Sequence, residues 1–345
     1  MSSSGSTLPY QFRPNKYVDR QIFFNLLERY SKFQPIEKAG YVSMGAYTMS
    51  DHSQIYRRFG INRLYSFDGD AHIPARSFFN RPTHSCICNE EKTTTIAKEI
   101  PRVRSDLGLG SEDPLIVWFD YTGKLNEERL KDIKLLLGAL SEGDIARFTF
   151  NAVPTGYLNG KDQHNRRLPD ARVPKSRKEY FTKLFGKIGL DASLLPKTDS
   201  DYSDEKVPSL IVEAVAYATI DSLEDKPALD FELLSSIHYK DGAAMVTITG
   251  AMVSGQKAPA LRQVMDYANW AFSNSKIFEP FPLSLNQMTL REYLTLDRLA
   301  ASDADIKTVK KELGFAQMGD VPIEDVYREF RAVSRFYPSF LEVAT

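Results

Sequence analysis

Three carboxylates stand where this chain could do chemistry. Asp68 and Asp70 bracket a glycine after the strand-like run Arg63 to Phe67, and Asp120 follows the apolar run Leu115 to Phe119. Side chains at the carboxyl ends of parallel strands face the crevice in which open α/β sheets bind ligands. Asp68 ends its strand directly, so it is the better placed of the first two to accept hydrogen bonds from ribose hydroxyls. The same Asp-Gly-Asp also suits turn geometry alone. Asp120 is suited to orienting a substrate, taking a proton, holding a metal through water, or simply capping its loop. Tyr121 and Thr122 add hydroxyls beside it, before Gly123. A fourth feature is the turn Gly45-Ala46, followed by Ser50-Asp51 as an N-cap. Small residues let a ligand approach the backbone, and a helix start favours polar or anionic groups. The turn lacks G-x-G-x-x-G, so a plain strand-to-helix connection is the competing reading.

Two further groups carry less. His84, Cys86 and Cys88 alternate and should share one strand face, but His52, His72, His164 and His238 are scattered without metal-ligand spacing. Core strand residues are therefore expected, and no metal site. From Asn159 to Lys187, nine Lys and Arg stand against Asp162, Asp170 and Glu179. Such a run can contact nucleic acid or a phosphorylated substrate, although a charge run is more often a solvated face.

The elements that position these residues follow from periodicity. Tyr17 to Phe33 reads as an amphipathic helix, with Ile22, Phe23, Leu26, Leu27 and Tyr30 at three- and four-residue steps. Gly40 to Asp70 reads strand, glycine turn, helix His52 to Phe59 stopped by Gly60, strand, acidic turn. That is a βαβ unit and predicts a parallel pair. Strands at Thr83 to Cys88, Leu115 to Phe119 and Ile145 to Phe150 alternate with helices at Thr93 to Arg102 and Asn126 to Leu140, which predicts an open α/β sheet. After helices at Ser176 to Ile188 and Pro208 to Ser222, Lys240-Asp241-Gly242 sits between two strand-like runs, the strongest short-range hairpin cue. Beyond Gly255 helices are expected at Ala258 to Asn274, Thr289 to Ala301, Asp303 to Leu313 and Ile323 to Tyr337, with Phe278 to Pro282 as a loop. The expected organisation is a flexible tail over residues 1–15, a Rossmann-like α/β domain over 16–254 with a basic insertion near 159–206, and a helical region over 255–345.

Composition bounds the class. In 345 residues, 44 Lys and Arg nearly balance 45 Asp and Glu, for a net charge of −1, which argues against a protein dominated by phosphate binding. Hydrophobic residues at 42% and charged residues at 26% are ordinary for a globular chain. The two cysteines are too close in sequence for an ordinary disulfide and point to a reducing compartment. No apolar run is long enough to span a bilayer, and the Ser/Gly-rich start has no signal-peptide pattern. A cytoplasmic protein is expected; membrane, collagenous, disulfide-rich and largely disordered classes are excluded.

Five parallel-type strands, a buried helix and an antiparallel hairpin resemble the Rossmann-like fold of S-adenosylmethionine-dependent methyltransferases, over roughly Gly40 to Met252. More narrowly the chain is similar to an O-methyltransferase-like bacterial group, through Tyr41-Val42-Ser43-Met44-Gly45-Ala46 with Ser50-Asp51, Phe59-Gly60-Ile61-Asn62 leading to Phe67-Asp68, Ile116-Val117-Trp118-Phe119-Asp120-Tyr121, and Leu285-Asn286-Gln287-Met288-Thr289-Leu290-Arg291-Glu292. The resemblance implies S-adenosylmethionine or a related nucleoside as ligand. Gly45, Ala46, Asp51, Asp68, Asp70 and Tyr121 are its candidate contacts, and Asp120 lies near the transferred methyl as the candidate catalytic group. Methyltransferases usually carry more glycines after the first strand, which keeps open a second reading: a non-catalytic nucleotide- or nucleic-acid-binding accessory protein, for instance of an antiphage system. A third reading is a metal-dependent phosphoryl-transfer enzyme using Asp68, Asp70 and Asp120; it lacks a Walker-type loop.

Overall fold

A computed structural model describes residues 13–159, 169, 172–274, 278–285, 288–315 and 321–337. Among the described residues, eight strands form one sheet: β1 (Gly40–Ser43), β2 (Arg63–Asp68), β3 (Ile87–Glu90), β4 (Leu115–Lys124), β5 (Ile145–Asn151), β6 (Leu229–Asp241), β7 (Ala243–Ser254) and β8 (Phe281–Leu283). Their order is β3-β2-β1-β4-β5-β7-β6-β8. All neighbouring pairs are parallel except those of β7, which runs antiparallel to both β5 and β6. The expected hairpin is therefore present, with Gly242 at its tip at φ 89°. It is threaded so that its second strand lies inside the sheet. Strand order reverses between β1 and β4, so the carboxyl ends of β1, β2 and β4 open onto a crevice where α/β sheets bind ligands.

Helices cover both faces. They are α1 (Pro14–Tyr30), α2 (Ser50–Phe59), α3 (Ile73–Asn80), α4 (Thr93–Lys98), α5 (Ile100–Asp106), α6 (Glu127–Ala139), α7 (Val173–Ile188), α8 (Val207–Ser222), α9 (Ala258–Val264), α10 (Leu290–Ala301), α11 (Ile306–Leu313) and α12 (Ile323–Val333). β4 shows why its sequence is continuously apolar. Leu115, Val117 and Phe119 join one core cluster with α4 to α8, while Ile116 and Trp118 join another with α1 and α2. A strand buried on both faces has no polar face to alternate with. A third cluster, built from Leu296, Leu299, Val309, Leu313, Val326 and Phe330, holds α10 to α12 together. No described helix is long and apolar enough to cross a membrane.

Several expectations need correction. α1 is not amphipathic: Val18, Phe23, Phe24 and Leu27 are buried around its girth, together with Asn15, Asp19 and Arg20. It starts at Pro14, inside the segment expected to be tail; residues 1–12 lie outside the described residues. Residues 73–80 form α3, which the periodicity did not predict. The third strand covers Ile87–Glu90 rather than Thr83 to Cys88, so His84 falls in an exposed turn while Cys86 is buried. The segment Phe278 to Pro282, expected as a loop, runs into a strand, Phe281–Leu283, which adds parallel to β6 at the sheet edge. Thr289 caps α10 with a full capping box to Glu292.

Candidate active site

A cavity of about 610 Å³ lies at the carboxyl end of the sheet. Such a volume is in the range of small-molecule and cofactor sites. Met44 and Ala46 line it after β1, Asp68 and Asp70 after β2, Asp120 to Thr122 from β4, and Asn151 from β5. Tyr239 and Asp241 of β6, Ala243 and Met245 of β7, and Arg13 and Lys16 of α1 close the opposite flank.

The acidic flank is preorganised by its own turn. Asp68 Oδ1 accepts the Asp70 N–H at 2.9 Å, and Asp70 Oδ1 accepts the His72 N–H at 3.0 Å. Burial pushes the Asp68 carboxyl up, opposed by the Asp70 N–H bond. The β1–α2 connection beside it carries strain: Ala46 and Met49 adopt the left-handed region at φ 45° and 51°. Non-glycine residues there cost roughly 1–2 kcal/mol and persist only where the surroundings enforce them. α3 supplies the enforcement. Ser77 Oγ donates to the Ala46 carbonyl at 2.9 Å, Asn80 Nδ2 donates to the Tyr47 carbonyl at 2.7 Å, and Arg76 lies over the Tyr47 ring.

The central carboxylate sits in a chain of buried charges. Asp120 Oδ2 lies 3.3 Å from Lys16 Nζ and 3.6 Å from Arg20 Nη2. Arg20 in turn grips Asp51 in a bidentate pair at 2.5 and 3.2 Å. Burial alone would raise Asp120, but Lys16 and Arg20 outweigh it and hold the carboxyl below its usual range. Burial lowers the Lys16 ammonium, against the pull of Asp120. One turn further along α1, Asp19 accepts from Arg147 of β5 at 2.6 Å and from Thr247 of β7 at 2.8 Å. Arg147 and Asp19 are buried, and the Arg147 guanidinium lies over the Phe23 and Trp118 rings.

Five of the seven sequence-derived candidates thus meet at one cavity: Ala46, Asp68, Asp70, Asp120 and Tyr121. Tyr121 contributes less than expected. Its hydroxyl points into the core, donating to Asp132 at 3.2 Å, while its ring stacks on Phe150. Gly45 and Asp51 do not line the cavity. A Cβ on Gly45 would come within 2.5 Å of Ser66 Oγ and 2.6 Å of Met49 Sδ, so this glycine serves the packing of α2 on β2. Asp51 is no N-cap: Met49 holds that position, and Asp51 lies in the first turn, buried against Arg20. The sequence reading missed Arg13, Lys16 and Arg20. The one local signal for the last two is a pair of cations four residues apart on a helix rich in buried apolar side chains.

Among the described residues, the basic run places no cation in this cavity. Lys161, Arg166 and Arg167 lie outside the described residues. Arg177 is buried, paired with Asp204 at 2.6 Å and donating to the Tyr202 carbonyl; Lys187 pairs with Glu127 at 3.0 Å. Among the described residues no three His, Cys, Asp or Glu side chains gather into a group that could hold a metal ion. Asp68, Asp70 and Asp120 line one cavity without forming such a cluster.

Residues 8–345 match the sequence family described as "Putative O-methyltransferase". No protein of curated function matches the chain. Among solved structures it is similar to an O-methyltransferase family protein from Burkholderia thailandensis, at 11% identity and a TM-score of 0.31, over 70% of this chain and 59% of that one. It is also similar to the plantazolicin methyltransferase BamL, solved with a triazolic desmethylPZN analog and SAH, at 11% identity and a TM-score of 0.31, over 68% of this chain and 85% of that one. The chain therefore spans somewhat more than half the length of the Burkholderia protein. With the family match running over nearly its whole length, this chain belongs to that O-methyltransferase family.

Proposed function

We propose that the chain transfers a methyl group from S-adenosylmethionine to an oxygen of a small-molecule acceptor. The observation that carries this reading is the lining of the one strand-end cavity: Asp68 and Asp70 after β2, the charge-paired Asp120 of β4, and residues of α1 and the hairpin. The donor set fits the nucleoside. Asp68 and Asp70 are carboxylate acceptors suited to ribose hydroxyls. When bound, the nucleoside supplies an electrophilic methyl on a sulfonium. The chain's own work is positional, since displacement at a methyl group depends on bringing the two reactants together in line. Asp120, held ionised by Lys16 and Arg20, is the candidate for orienting the acceptor, through the pair it makes with Lys16 rather than as a bare charge. Ala46 and Met44 line the same cavity and would stand beside the nucleoside.

Calorimetric titration with S-adenosylmethionine and S-adenosylhomocysteine tests the reading. Both should bind the wild-type protein. Asp68→Ala should weaken binding by about 1.5–3 kcal/mol, the scale of hydrogen bonds to charged groups. Absence of binding to the wild type would end the proposal.

A further inference from the structure

We propose that the α1 side of this cavity selects an acceptor that is already an anion, a carboxylate-bearing small molecule, through the guanidinium of Arg13 with Lys16 beside it. This rests on the methyltransferase reading above and adds the class of acceptor.

The first argument is position. The start of α1 is pinned to the hairpin tip, because Asp241 Oδ2 accepts the Lys16 N–H at 2.7 Å and Asp241 Oδ1 accepts Asn15 Nδ2 at 2.9 Å. Asn15 Nδ2 also donates to the Lys240 carbonyl at 3.2 Å, and Asn15 Oδ1 accepts the Leu285 N–H at 2.8 Å. Arg13 and Lys16 are thus fixed on the hairpin flank, across the cavity from Asp68 and Asp70. The charges are unevenly spread: Asp68 and Asp70 stand without a cation at the β2 end, whereas Asp120 and Asp241 are offset by Lys16 and Arg13 at the α1 end, so an anion is opposed least there.

The second argument is charge balance. Among the described residues, no carboxylate lies within ion-pair distance of the Arg13 guanidinium. The nearby carboxylates are committed elsewhere, Asp241 to the backbone of α1 and Asp120 to Lys16 and Arg20. A guanidinium at a cavity wall matches a carboxylate in shape as well as charge.

The third argument is the proton. An alcohol acceptor must lose one, and the groups best shifted to take it are engaged or distant: Lys16, its ammonium lowered by burial, is held by Asp120, and Asp68, its carboxyl raised by burial, lies at the β2 end. Asp120 is held below the usual carboxylate range despite its burial, and burial pushes the Tyr121 and Tyr239 hydroxyls well up. A carboxylate avoids the requirement. Its oxygen provides the electron pair of the new O–C bond, the pair of the broken C–S bond stays on sulfur, and no proton leaves; the product is a methyl ester.

The test uses the full chain saturated with S-adenosylhomocysteine and two probes of the same shape, 4-fluorobenzoate and 4-fluorobenzamide, titrated by fluorine NMR. The benzoate should bind about tenfold or more tightly than the amide, as expected for a charge-assisted contact. Arg13→Gln should abolish that preference and Arg13→Lys should retain most of it. Arg13 precedes α1 and is half-buried, so both variants should fold, which a thermal melt checks. Equal affinities, a preference that survives Arg13→Gln, or binding of neither probe at millimolar concentration overturns the proposal. Failure to bind S-adenosylhomocysteine instead strikes the methyltransferase reading, and the same titration without it still judges the cationic flank.

Discussion

Two cavities of nearly equal size lie on this protein. The one at the strand ends holds about 610 Å³, and one between the start of α6 and the face of α7 holds about 630 Å³. Their linings differ in kind. The second is walled by surface side chains that neutralise one another: Glu127 pairs with Lys131 at 2.7 Å and with Lys187 at 3.0 Å, and Lys183 donates to Asn159 at 3.1 Å. The first is lined by α1, which also carries, outside the lining itself, charges taken out of water: Arg20 paired with Asp51 of α2 and Asp19 paired with Arg147 of β5. Burying ions costs several kcal/mol each, and their mutual attraction only repays this with good geometry. A chain keeps such an arrangement where specific positions matter. Volume therefore does not distinguish the two, whereas the energetic investment beneath them does.

The comparison can be broken most directly at these buried pairs. Asp19→Ala leaves Arg147 buried and unpaired, and should destabilise the fold by about 3–5 kcal/mol in urea denaturation. A loss under about 1 kcal/mol would mean that water reaches Arg147 and that the two cavities are less different than their linings suggest.

Acid should also attack the first region. Burial lowers His52 from 6.5 to about 4, opposed by its hydrogen bond to the Tyr65 carbonyl. Because the folded state disfavours protonation, stability is intact above pH 6.5 and falls as pH drops towards 4. The loss reaches about 3 kcal/mol if fully expressed. Denaturant midpoints measured from pH 7 to pH 4.5 should show this slope, and His52→Gln should flatten it whatever its absolute stability.

At the rim the expected effects are smaller and fall on binding. Asp68→Ala should cost about 1.5–3 kcal/mol of nucleoside affinity while leaving the thermal midpoint near wild type. A large drop in stability would reassign Asp68 to the turn. The smallest effect belongs to the second cavity. Lys131→Ala removes an exposed pair within one helix, and such pairs contribute little. Neither stability nor nucleoside binding should change measurably, and a clear loss of binding would shift attention to that face.

Much of the frame was legible from local pattern. The βαβ unit from Gly40 to Asp68, the doubly buried run Leu115 to Phe119 and the Asp241-Gly242 tip each depend on neighbours in sequence, through periodicity and turn chemistry. α3 escaped because His72-Ile73-Pro74 follows an acidic turn and its apolar residues Phe78 and Phe79 are largely exposed, so no buried stripe announces it. β8 escaped because two prolines flank Phe281, and a strand that pairs on one side only tolerates them.

The amino-acid sequence by itself determined the fold class, the carboxylates at the ends of β2 and β4, and hence the side of the sheet on which to look. Only the tertiary structure decided that Gly45 serves packing, that Asp51 is a buried partner of Arg20, and that α1 delivers Arg13 and Lys16 to the cavity. The physical reason is separation. Lys16 meets Asp120 across 104 residues and Asp19 meets Thr247 across 228. A charge buried by such a contact carries no periodicity of its own; its meaning depends on which strand the helix packs against, and that is settled by the burial of Val18, Ile22, Phe23 and Leu26 around it.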